Sequence, residues 1–366
     1  MIPPTIPVRL GERSYAILIT DTYAPLIPAL RRLGLGPRVA VVSNRRVLTQ
    51  VGRGLINLLQ RHGFSCETAL LPDTERAKSA AWALRLTSTL AEQFPGRAPV
   101  ILALGGGVVG DTAGFVASIL RRGIPYVQMP TTLLAQVDSS IGGKVAIDLP
   151  AGKNLVGSFY QPRLVCSNVA VLRSLGLRQL RSGLAEVVKY GVMADAGLFT
   201  YLEQHAAEAL CARPSVLRVL VERSSRIKAR VVSRDEREQR GERTLLNFGH
   251  TIGHAIEAAT GYSNRYTHGE AIAIGMLGAG EIAVALGRWR PAELQRLEGL
   301  LARLGLPTRA RGVSAAKILT AMRYDKKNIS GALRWVLPTR LGHAVVVAGV
   351  PAAVVRRAVA RRLHGG

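Results

Sequence analysis

The sequence predicts two domains: an α/β domain with a mostly parallel sheet over residues 1–172, and an all-helical domain over residues 173–366. The first half alternates short β-branched runs with helical patterns, which is typical of a parallel sheet covered on both faces. Beyond Leu172 the strand signals nearly vanish, and apolar residues recur at helical spacing with Arg and Glu between them. A chain of 366 residues is long enough for two ordinary domains.

Several elements can be located from the sequence. Four buried strands are expected in the first domain, at Arg38–Ser43, Val100–Leu104, Pro125–Pro130 and Leu164–Ser167. In the second domain, LLNFGHTIGHAIEAAT predicts a helix that stops at Gly261. Thr267 and Glu270 have the spacing of a capping box, so a new apolar helix should begin at His268.

The composition favours a soluble globular protein in a reducing compartment. Hydrophobic residues make up 48% of the chain, and no run of about eighteen apolar residues lacks a charge or a break. The first residues do not have the basic and then apolar pattern of a signal peptide. Cys66, Cys166 and Cys211 are far apart and have no CxxC spacing. We therefore expect a cytoplasmic protein with no membrane partner.

The formal charge of +25 raises the question of a nucleic-acid partner. The basic residues are scattered along helical segments, never form a block of five, and are not interleaved with aromatic residues, which make up only 5% of the chain. Solvated Arg-rich faces are the preferred explanation, and no nucleic-acid partner is expected. A cavity that binds a polyanionic substrate would be a second source of positive charge.

A glycine-rich turn, GGGVVGD, follows the strand VILAL and leads into a helical pattern at Gly105–Asp111. A strand, a glycine turn and a helix N-terminus together favour anion binding, because unpaired amides and the helix dipole point to one place. A tight turn without a ligand would also need these glycines. The turn is not the standard dinucleotide fingerprint, which belongs to the first strand–helix turn.

A polar segment follows at Pro130–Asn154, with the sequence PTTLLAQVDSSIGGKVAIDLPAGKN. Its polar residues are crowded among small and apolar ones; they are Asp138, Ser139, Ser140, Lys144, Lys153 and Asn154. It is not a Walker loop, because Ile147 stands where that motif needs glycine. Two lysines beside glycines suit a phosphate or carboxylate, and the alternative is a glycine-rich loop with solvated lysines.

Three histidines and a glutamate are candidate metal ligands. His250 and His254 are four residues apart and share one helix face, while His268 lies in the first turn of the next helix. Such a pair is more often structural, and HTIGH lacks the glutamate of HExxH. Glu186 could complete a catalytic zinc-type site, although Glu186 and Lys189 also have the spacing of a helical ion pair.

Taken in order, six blocks resemble the 3-dehydroquinate synthase family of sugar-phosphate cyclases; they are GGGVVGDTAGFVAS, VQMPTTLLAQVDSSIGGKVAIDLPAGKN, LAEVVKYGVM, RTLLNFGHTIGHAIE, THGEAIAIGM and DKKN. The resemblance implies a Rossmann-like nucleotide-binding α/β domain, a helical C-terminal domain and a homodimer. The implied reaction converts the small sugar phosphate 3-deoxy-arabino-heptulosonate 7-phosphate into 3-dehydroquinate and phosphate, in the shikimate pathway. It uses NAD and one divalent metal, zinc or cobalt.

The resemblance also assigns roles to residues. The implied metal ligands are Glu186, His250 and His268. The implied cofactor contacts are Asn44, Glu75, Lys78, Gly106, Gly107, Asp111, Thr131, Thr132, Asp138 and Lys153. The implied substrate contacts are Lys144, Asn154, Lys189, Lys228, Arg243, Asn247, His254 and Lys327, with Arg122 from the other subunit. Lys228 and Arg243 are expected near the carboxylate, and Lys144, Asn154 and Lys327 toward the phosphate. Asn44 is a departure, since many relatives carry an acidic residue there.

Three alternatives remain open. Sister cyclases that make inosose or valiolone share the fold, metal and cofactor, but they generally differ at the positions of Asn247 and His254, and both residues are retained here. A metal-dependent polyol dehydrogenase would not need the GGK and GKN lysines. A nucleic-acid-binding protein with an inactive enzyme fold would keep the charge and lose the metal ligands.

Overall fold

The computed structural model describes residues 4–326 and 333–363. Within these residues it contains a seven-stranded sheet, two separate hairpins and fourteen helices. The strands are β1 Thr5–Val8, β2 Tyr15–Thr20, β3 Arg38–Asn44, β4 Ser65–Leu71, β5 Val100–Gly105, β6 Tyr126–Pro130, β7 Lys144–Leu149, β8 Gly152–Phe159, β9 Leu164–Asn168, β10 Trp335–Arg340 and β11 His343–Val347.

The helices range from a single turn to six turns. They are α1 Leu26–Arg32, α2 Arg45–Val47, α3 Arg53–Arg61, α4 Ala80–Gln93, α5 Gly107–Ile119, α6 Leu177–Ala194, α7 Ala196–Gln204, α8 Ala206–Leu210, α9 Pro214–Arg234, α10 His250–Ala259, α11 His268–Ala285, α12 Pro291–Arg303, α13 Ala315–Lys326 and α14 Ala352–Arg361. Among the described residues, no helix is long and apolar enough to cross a membrane.

The chain forms two compact units. The first comprises Met1–Leu175 with Leu217–Arg237, and the second comprises Gly176–Val216 with Glu238–Gly366. The predicted division after residue 172 places all of α9 in the second domain, whereas most of this helix belongs to the first unit. Lys228 of α9 donates to Asp138, which the first unit contains. A helical sequence pattern shows that α9 forms, but not which core it packs on.

The sheet of the first unit has the order β1-β2-β9-β6-β5-β3-β4, and all neighbours are parallel except the antiparallel pair β1–β2. The predicted mostly parallel sheet is therefore confirmed. Strands β5, β6 and β9 are buried along their whole length, as expected for central strands with continuous apolar runs. Val39 and Val41 pack in one core with α1 and α3, while Ala40 and Val42 pack in another with α4 and α5.

The strand order reverses next to β3. From β3 the chain crosses to the edge strand β4 and then returns through α4 to β5, on the other side of β3. The carboxyl ends of β3 and β5 therefore flank the crevice that open α/β sheets use for ligands. Asn44 ends β3, and Gly105 ends β5.

In the part of the second unit that the structure describes, the only strands are those of the hairpin β10–β11, so the predicted helical character is confirmed and the hairpin is an addition. The hairpin escaped prediction because Pro338 interrupts the strand pattern, at the point where the register shifts. Helix α11 is apolar on all sides and buried over nearly its whole length, as expected for a helix at the centre of a core. Its N-terminal end carries His268.

Candidate active site

Glu186, His250 and His268 lie together in the second unit. Glu186 Oε1 is 3.6 Å from His250 Nε2 and 3.5 Å from His268 Nε2. One possible ligand atom from each residue lies within 4.8 Å of the other two. The Glu186 side chain is 0% exposed and the His268 side chain is 30% exposed, so the cluster opens on the His268 side.

Three helices hold these side chains. Glu186 lies in the middle of the buried helix α6, and the two histidines begin α10 and α11. The predicted capping box at the start of α11 is confirmed, since Thr267 Oγ1 accepts from Glu270 N and Glu270 Oε2 accepts from Thr267 N. This cap fixes the direction in which α11 starts, and with it the position of the His268 ring.

Glycines allow the three helices to approach closely. A Cβ on Gly269 would lie 2.2 Å from the carbonyl oxygen of Ser182, one helical turn before Glu186. A Cβ on Gly275 would lie 2.0 Å from the carbonyl oxygen of Gly249, the residue before His250. Gly249 itself has φ of 80°, which favours glycine. The glycines therefore set the spacing between α6, α10 and α11.

Lys189 adds a positive charge to the cluster. Its side chain is 1% exposed and forms an ion pair with Glu186. Burial, followed by the Lys189 charge, holds the pKa of His250 well below its usual range. Burial also lowers the pKa of His268, but hydrogen bonds to Glu186 and Glu257 outweigh it and raise that pKa to about 10. The two rings therefore lie in different electrostatic surroundings.

The donor set fits a divalent metal ion. Two imidazole nitrogens and one carboxylate oxygen are the ligands of many catalytic zinc sites, which keep a further position open. His250 Nδ1 lies 3.1 Å from the Phe248 carbonyl oxygen, and His268 Nδ1 lies 3.4 Å from Glu257 Oε2. Because each Nδ1 has an acceptor, each ring can keep its proton on Nδ1 and present the lone pair of Nε2 to a metal ion bound beside Glu186.

One residue predicted to contact substrate, His254, lies beside this cluster, and two others, Arg243 and Asn247, immediately precede α10 in the chain. The ring of His254 lies 5.1 Å from that of His250 and 5.9 Å from that of His268, and His254 is exposed. Arg243 and Asn247 begin and end the 3₁₀ turn that leads into α10; Arg243 is buried and Asn247 is exposed. The second unit thus brings a buried cation, an amide and a third imidazole to the start of α10.

The predicted cofactor contacts lie in the first unit, and many of them lie at the carboxyl ends of the parallel strands. Asn44 ends β3, Gly106 and Gly107 follow β5, and Thr131 and Thr132 follow β6. A Cβ on Gly106 would lie 3.1 Å from the Thr132 side chain. Among the described residues, no side chain caps α5 at Gly106. Its first-turn amides and helix dipole therefore favour an anion such as a diphosphate.

Asn44 has an acidic neighbour. Its Nδ2 donates to Asp73 Oδ1 at 2.7 Å, and its Oδ1 accepts from Val47 N at 2.8 Å. The carboxylate of Asp73 thus lies beside Asn44, the position at which many relatives are expected to carry an acidic residue. Asp73 follows β4, the strand next to β3. It was missed because a contact between residues that follow two different strands leaves no local pattern in the sequence.

Charged pairs link several predicted cofactor contacts with predicted substrate contacts. Lys78 Nζ donates to Asp111 Oδ2 at 2.7 Å and to Asn154 Oδ1 at 2.5 Å. Burial raises the pKa of Asp111, although the Lys78 charge opposes it. Further pairs join Lys228 to Asp138 at 2.7 Å and Lys153 to Glu75 at 3.1 Å.

Three predicted residues remain. Lys144 begins β7 and is exposed, and it belongs to the hairpin β7–β8. Arg122 is exposed and has a left-handed φ of 66°. Lys327 lies outside the described residues. Sequence reasoning also missed Glu257, although its spacing of three residues from His254 places it on the same helix face.

Comparison with known families gives consistent matches. The family profile described as "3-dehydroquinate synthase N-terminal" matches residues 68–182, and "3-dehydroquinate synthase C-terminal" matches residues 183–328. A curated 3-dehydroquinate synthase from Picosynechococcus sp. is 44% identical over 98% of this chain and 99% of its own length.

Two solved structures are similar throughout. A 2-epi-5-epi-valiolone synthase from Streptomyces hygroscopicus subsp. jinggangensis, with NAD+ and Zn2+ bound, has a TM-score of 0.88 at 29% identity, over 96% of this chain and 97% of that one. A 2-deoxy-scyllo-inosose synthase complexed with carbaglucose-6-phosphate, NAD+ and Co2+ has a TM-score of 0.86 at 24% identity, over 98% and 100%. The second likeness supports the fold alone.

Proposed function

The chain belongs to the 3-dehydroquinate synthase family, and from that premise we propose that it converts 3-deoxy-arabino-heptulosonate 7-phosphate into 3-dehydroquinate and phosphate, as a lyase that uses NAD and one divalent metal. The observation that carries the proposal is the cluster of Glu186, His250 and His268, which opens beside His254. A 3-dehydroquinate synthase acts in the shikimate pathway.

Glu186, His250 and His268 would hold the metal, zinc or cobalt. NAD would bind at the carboxyl ends of the parallel strands, against Asn44, Gly106, Gly107, Thr131 and Thr132. The charged groups near it would be those of Glu75, Lys78, Asp111, Asp138 and Lys153. When bound, NAD supplies a hydride acceptor for the C5 alcohol of the substrate, and the metal supplies a Lewis acid at the same alcohol. Oxidation at C5 would acidify the neighbouring C6 proton, so that phosphate can leave by elimination. Return of the hydride to C5, ring opening and an intramolecular aldol step would then close the carbocycle of 3-dehydroquinate.

The basic side chains divide between the two anionic groups of the substrate. Lys228 and Arg243 are proposed to bind its carboxylate, while Lys144, Asn154 and Lys327 bind its phosphate. Lys189, buried against Glu186, and the exposed Asn247 and His254 complete the substrate contacts. Charge-assisted hydrogen bonds of this kind orient the phosphate for elimination, in which the substrate's own phosphate serves as the base.

We also infer that the enzyme is a cytoplasmic homodimer and that Arg122 acts in the partner's substrate site. Two consecutive residues, Arg121 and Arg122, have left-handed φ angles of 51° and 66°. Such backbone is costly outside glycine and is common at functional sites. Sedimentation velocity gives the oligomeric state. Mixed dimers that pair an Arg122→Ala chain with a Lys144→Ala chain should recover one site of wild-type activity if Arg122 acts across the interface, whereas each variant alone has two impaired sites.

The experiment that tests the function is phosphate release from 3-deoxy-arabino-heptulosonate 7-phosphate by purified protein, with and without added NAD and zinc or cobalt. Metal-dependent release with 3-dehydroquinate as the product is the expected result. Retention of Asn247 and His254 favours this substrate over those of sister cyclases. Protein that binds NAD and metal but releases no phosphate would instead indicate a valiolone- or inosose-type cyclase, tested with the corresponding sugar phosphates.

A further inference from the structure

The ring of His268 lies between two carboxylates. Its Nε2 is 3.5 Å from Glu186 Oε1, and its Nδ1 is 3.4 Å from Glu257 Oε2. The Glu257 side chain is 13% exposed, so this contact is largely shielded from water. Glu186 belongs to the proposed metal ligands, whereas Glu257 has so far been given no role.

The placement of Glu257 follows from the geometry of α10. His250, His254 and Glu257 are spaced by four and then three residues, so they share one helix face. That face carries a proposed ligand at its start and, two turns later, a carboxylate that reaches the ring of His268 on α11. The helix pair therefore fixes the His268 ring from the side opposite Glu186.

The two histidines differ in the group that accepts from Nδ1. For His250 the acceptor is the carbonyl oxygen of Phe248, at 3.1 Å, and for His268 it is the carboxylate of Glu257. An acceptor on one ring nitrogen decides which tautomer is present and leaves the other nitrogen as the ligand. A carboxylate acceptor also raises the basicity of the ring more than a neutral carbonyl does.

We propose that Glu257 is a positioning residue of the metal centre: its carboxylate accepts a hydrogen bond from Nδ1–H of His268 and so directs Nε2 of that ring to the metal. This inference rests on the proposed function only in that Glu186, His250 and His268 hold the metal. A competing arrangement is direct ligation, since His254, Glu257 and His268 also place ligand atoms within 4.8 Å of one another. It is disfavoured because His250 and His268 both direct Nε2 toward Glu186.

The experiment compares Zn2+ affinities of the full-length protein and its variants, measured by competition with a chromophoric chelator, and the visible absorption of the Co2+-loaded forms. Glu257→Ala should weaken Zn2+ binding by about 10- to 100-fold. Glu257→Gln should lose less affinity, because its amide oxygen still accepts the hydrogen bond from His268 Nδ1–H. The cobalt absorption of Glu257→Gln should keep the wild-type band positions, because the ligands are unchanged.

Glu208→Gln is the matched control, because Glu208 also accepts from a histidine, His205 Nδ1, at 2.9 Å on another part of the same unit. Its Zn2+ affinity should equal that of wild type. The proposal would be overturned if Glu257→Ala bound Zn2+ as tightly as the control does. It would also be overturned if Glu257→Ala lost as much Zn2+ affinity as Glu186→Gln and its cobalt spectrum shifted, because that result indicates direct ligation by Glu257. Phosphate release by the wild-type protein reports separately on the proposed function.

Discussion

Individual side chains of the second unit are proposed to divide between holding the metal and contacting the substrate. His250 and His254 are one helical turn apart, and His250 directs a ring nitrogen to Glu186, at 3.6 Å. The face of α10 thus carries a proposed ligand, a proposed substrate contact and, in Glu257, a proposed positioning residue. A single face can supply all three roles because residues four and three apart project in nearly the same direction.

The Lys144→Ala variant separates substrate binding from metal binding. Lys144 lies in the first unit, so its loss should leave the metal content of the purified protein unchanged. Loss of one charge-assisted hydrogen bond to phosphate, worth about 1.5–3 kcal/mol, should lower kcat/KM by roughly 10- to 100-fold. Steady-state kinetics and metal analysis check both expectations. Lys317→Ala, which removes an exposed lysine of α13, is the control; equal kinetics for the two variants would refute a phosphate contact at Lys144.

Several side chains that the sequence predicted to act together are close to one another in the fold. Glu186, His250 and His268 are far apart in the chain, and the resemblance named them together. Glu257 and Asp73 were missed for a physical reason: each contacts a side chain in another element, and local spacing does not show which side chain that is. The roles of the remaining predicted residues stay predictions until variants are measured.

At the scale of elements, close contact between α10 and α11 holds the metal ligands together. We predict that Gly275→Ala will destabilise the protein by roughly 1–3 kcal/mol and reduce metal content, because the added methyl would lie 2.0 Å from the Gly249 carbonyl oxygen. Urea unfolding and metal analysis measure the two effects.

Gly299→Ala is the matched control for that variant. Gly299 lies inside α12, and no described atom lies within 4 Å of its added Cβ. Its substitution should stabilise the protein by about 0.5–1 kcal/mol through helix propensity. If Gly275→Ala behaved in the same way, close helix contact could not be what positions His250 and His268.

An ion pair in the first unit makes a pH-dependent contribution to stability. Arg13 donates to both carboxylate oxygens of Glu236, at 3.1 and 2.8 Å, and this pair holds the pKa of Glu236 below its usual range. A lowered pKa in the folded state stabilises the protein above the unfolded pKa, and the effect is lost as the pH falls through the folded pKa.

Glu236→Gln should therefore cost about 0.2–1 kcal/mol at neutral pH, because Arg13 is largely exposed. The difference from wild type should shrink as the pH falls below about 4.3, the usual value for glutamate. Urea unfolding at several pH values checks the trend, with Glu92→Gln on the exposed face of α4 as the control. A difference that stays constant with pH would show that the Glu236 charge does not contribute.

The predictability of the elements depends on burial. Strands β3, β5, β6 and β9 were expected from their continuous apolar runs, and all four are present within a residue or two of the predicted bounds. The edge strands β1 and β4 alternate between exposed and buried residues over short lengths, which gives a weaker signal. Strand β2 was not predicted although YAILIT is mostly apolar, and the hairpin β7–β8 was not predicted because Pro150 and Gly152 interrupt its strand pattern.

At the scale of the whole molecule, the positive charge is spread over the chain. The proposed site would use part of it, since Lys144, Lys189, Lys228 and Arg243 are proposed to bind one anionic substrate. We predict that binding to duplex DNA is weak, with Kd no tighter than about 10⁻⁶ M at physiological salt, and that it falls steeply as salt rises. Fluorescence anisotropy with labelled duplexes measures this. Tight binding that persists at physiological salt would point to a nucleic-acid partner.

The central claim for the molecule is that Glu186, His250 and His268 together hold the metal on which dehydroquinate synthesis depends. The most direct test is metal per chain and 3-dehydroquinate formation for wild type, Glu186→Gln and His250→Ala, with His254→Ala as the control from the same helix face. An open site has few protein ligands to spare, so the first two variants should lose metal and activity together, while His254→Ala keeps its metal and turns over slowly. Metal that stays bound after His250→Ala would contradict the ligand set.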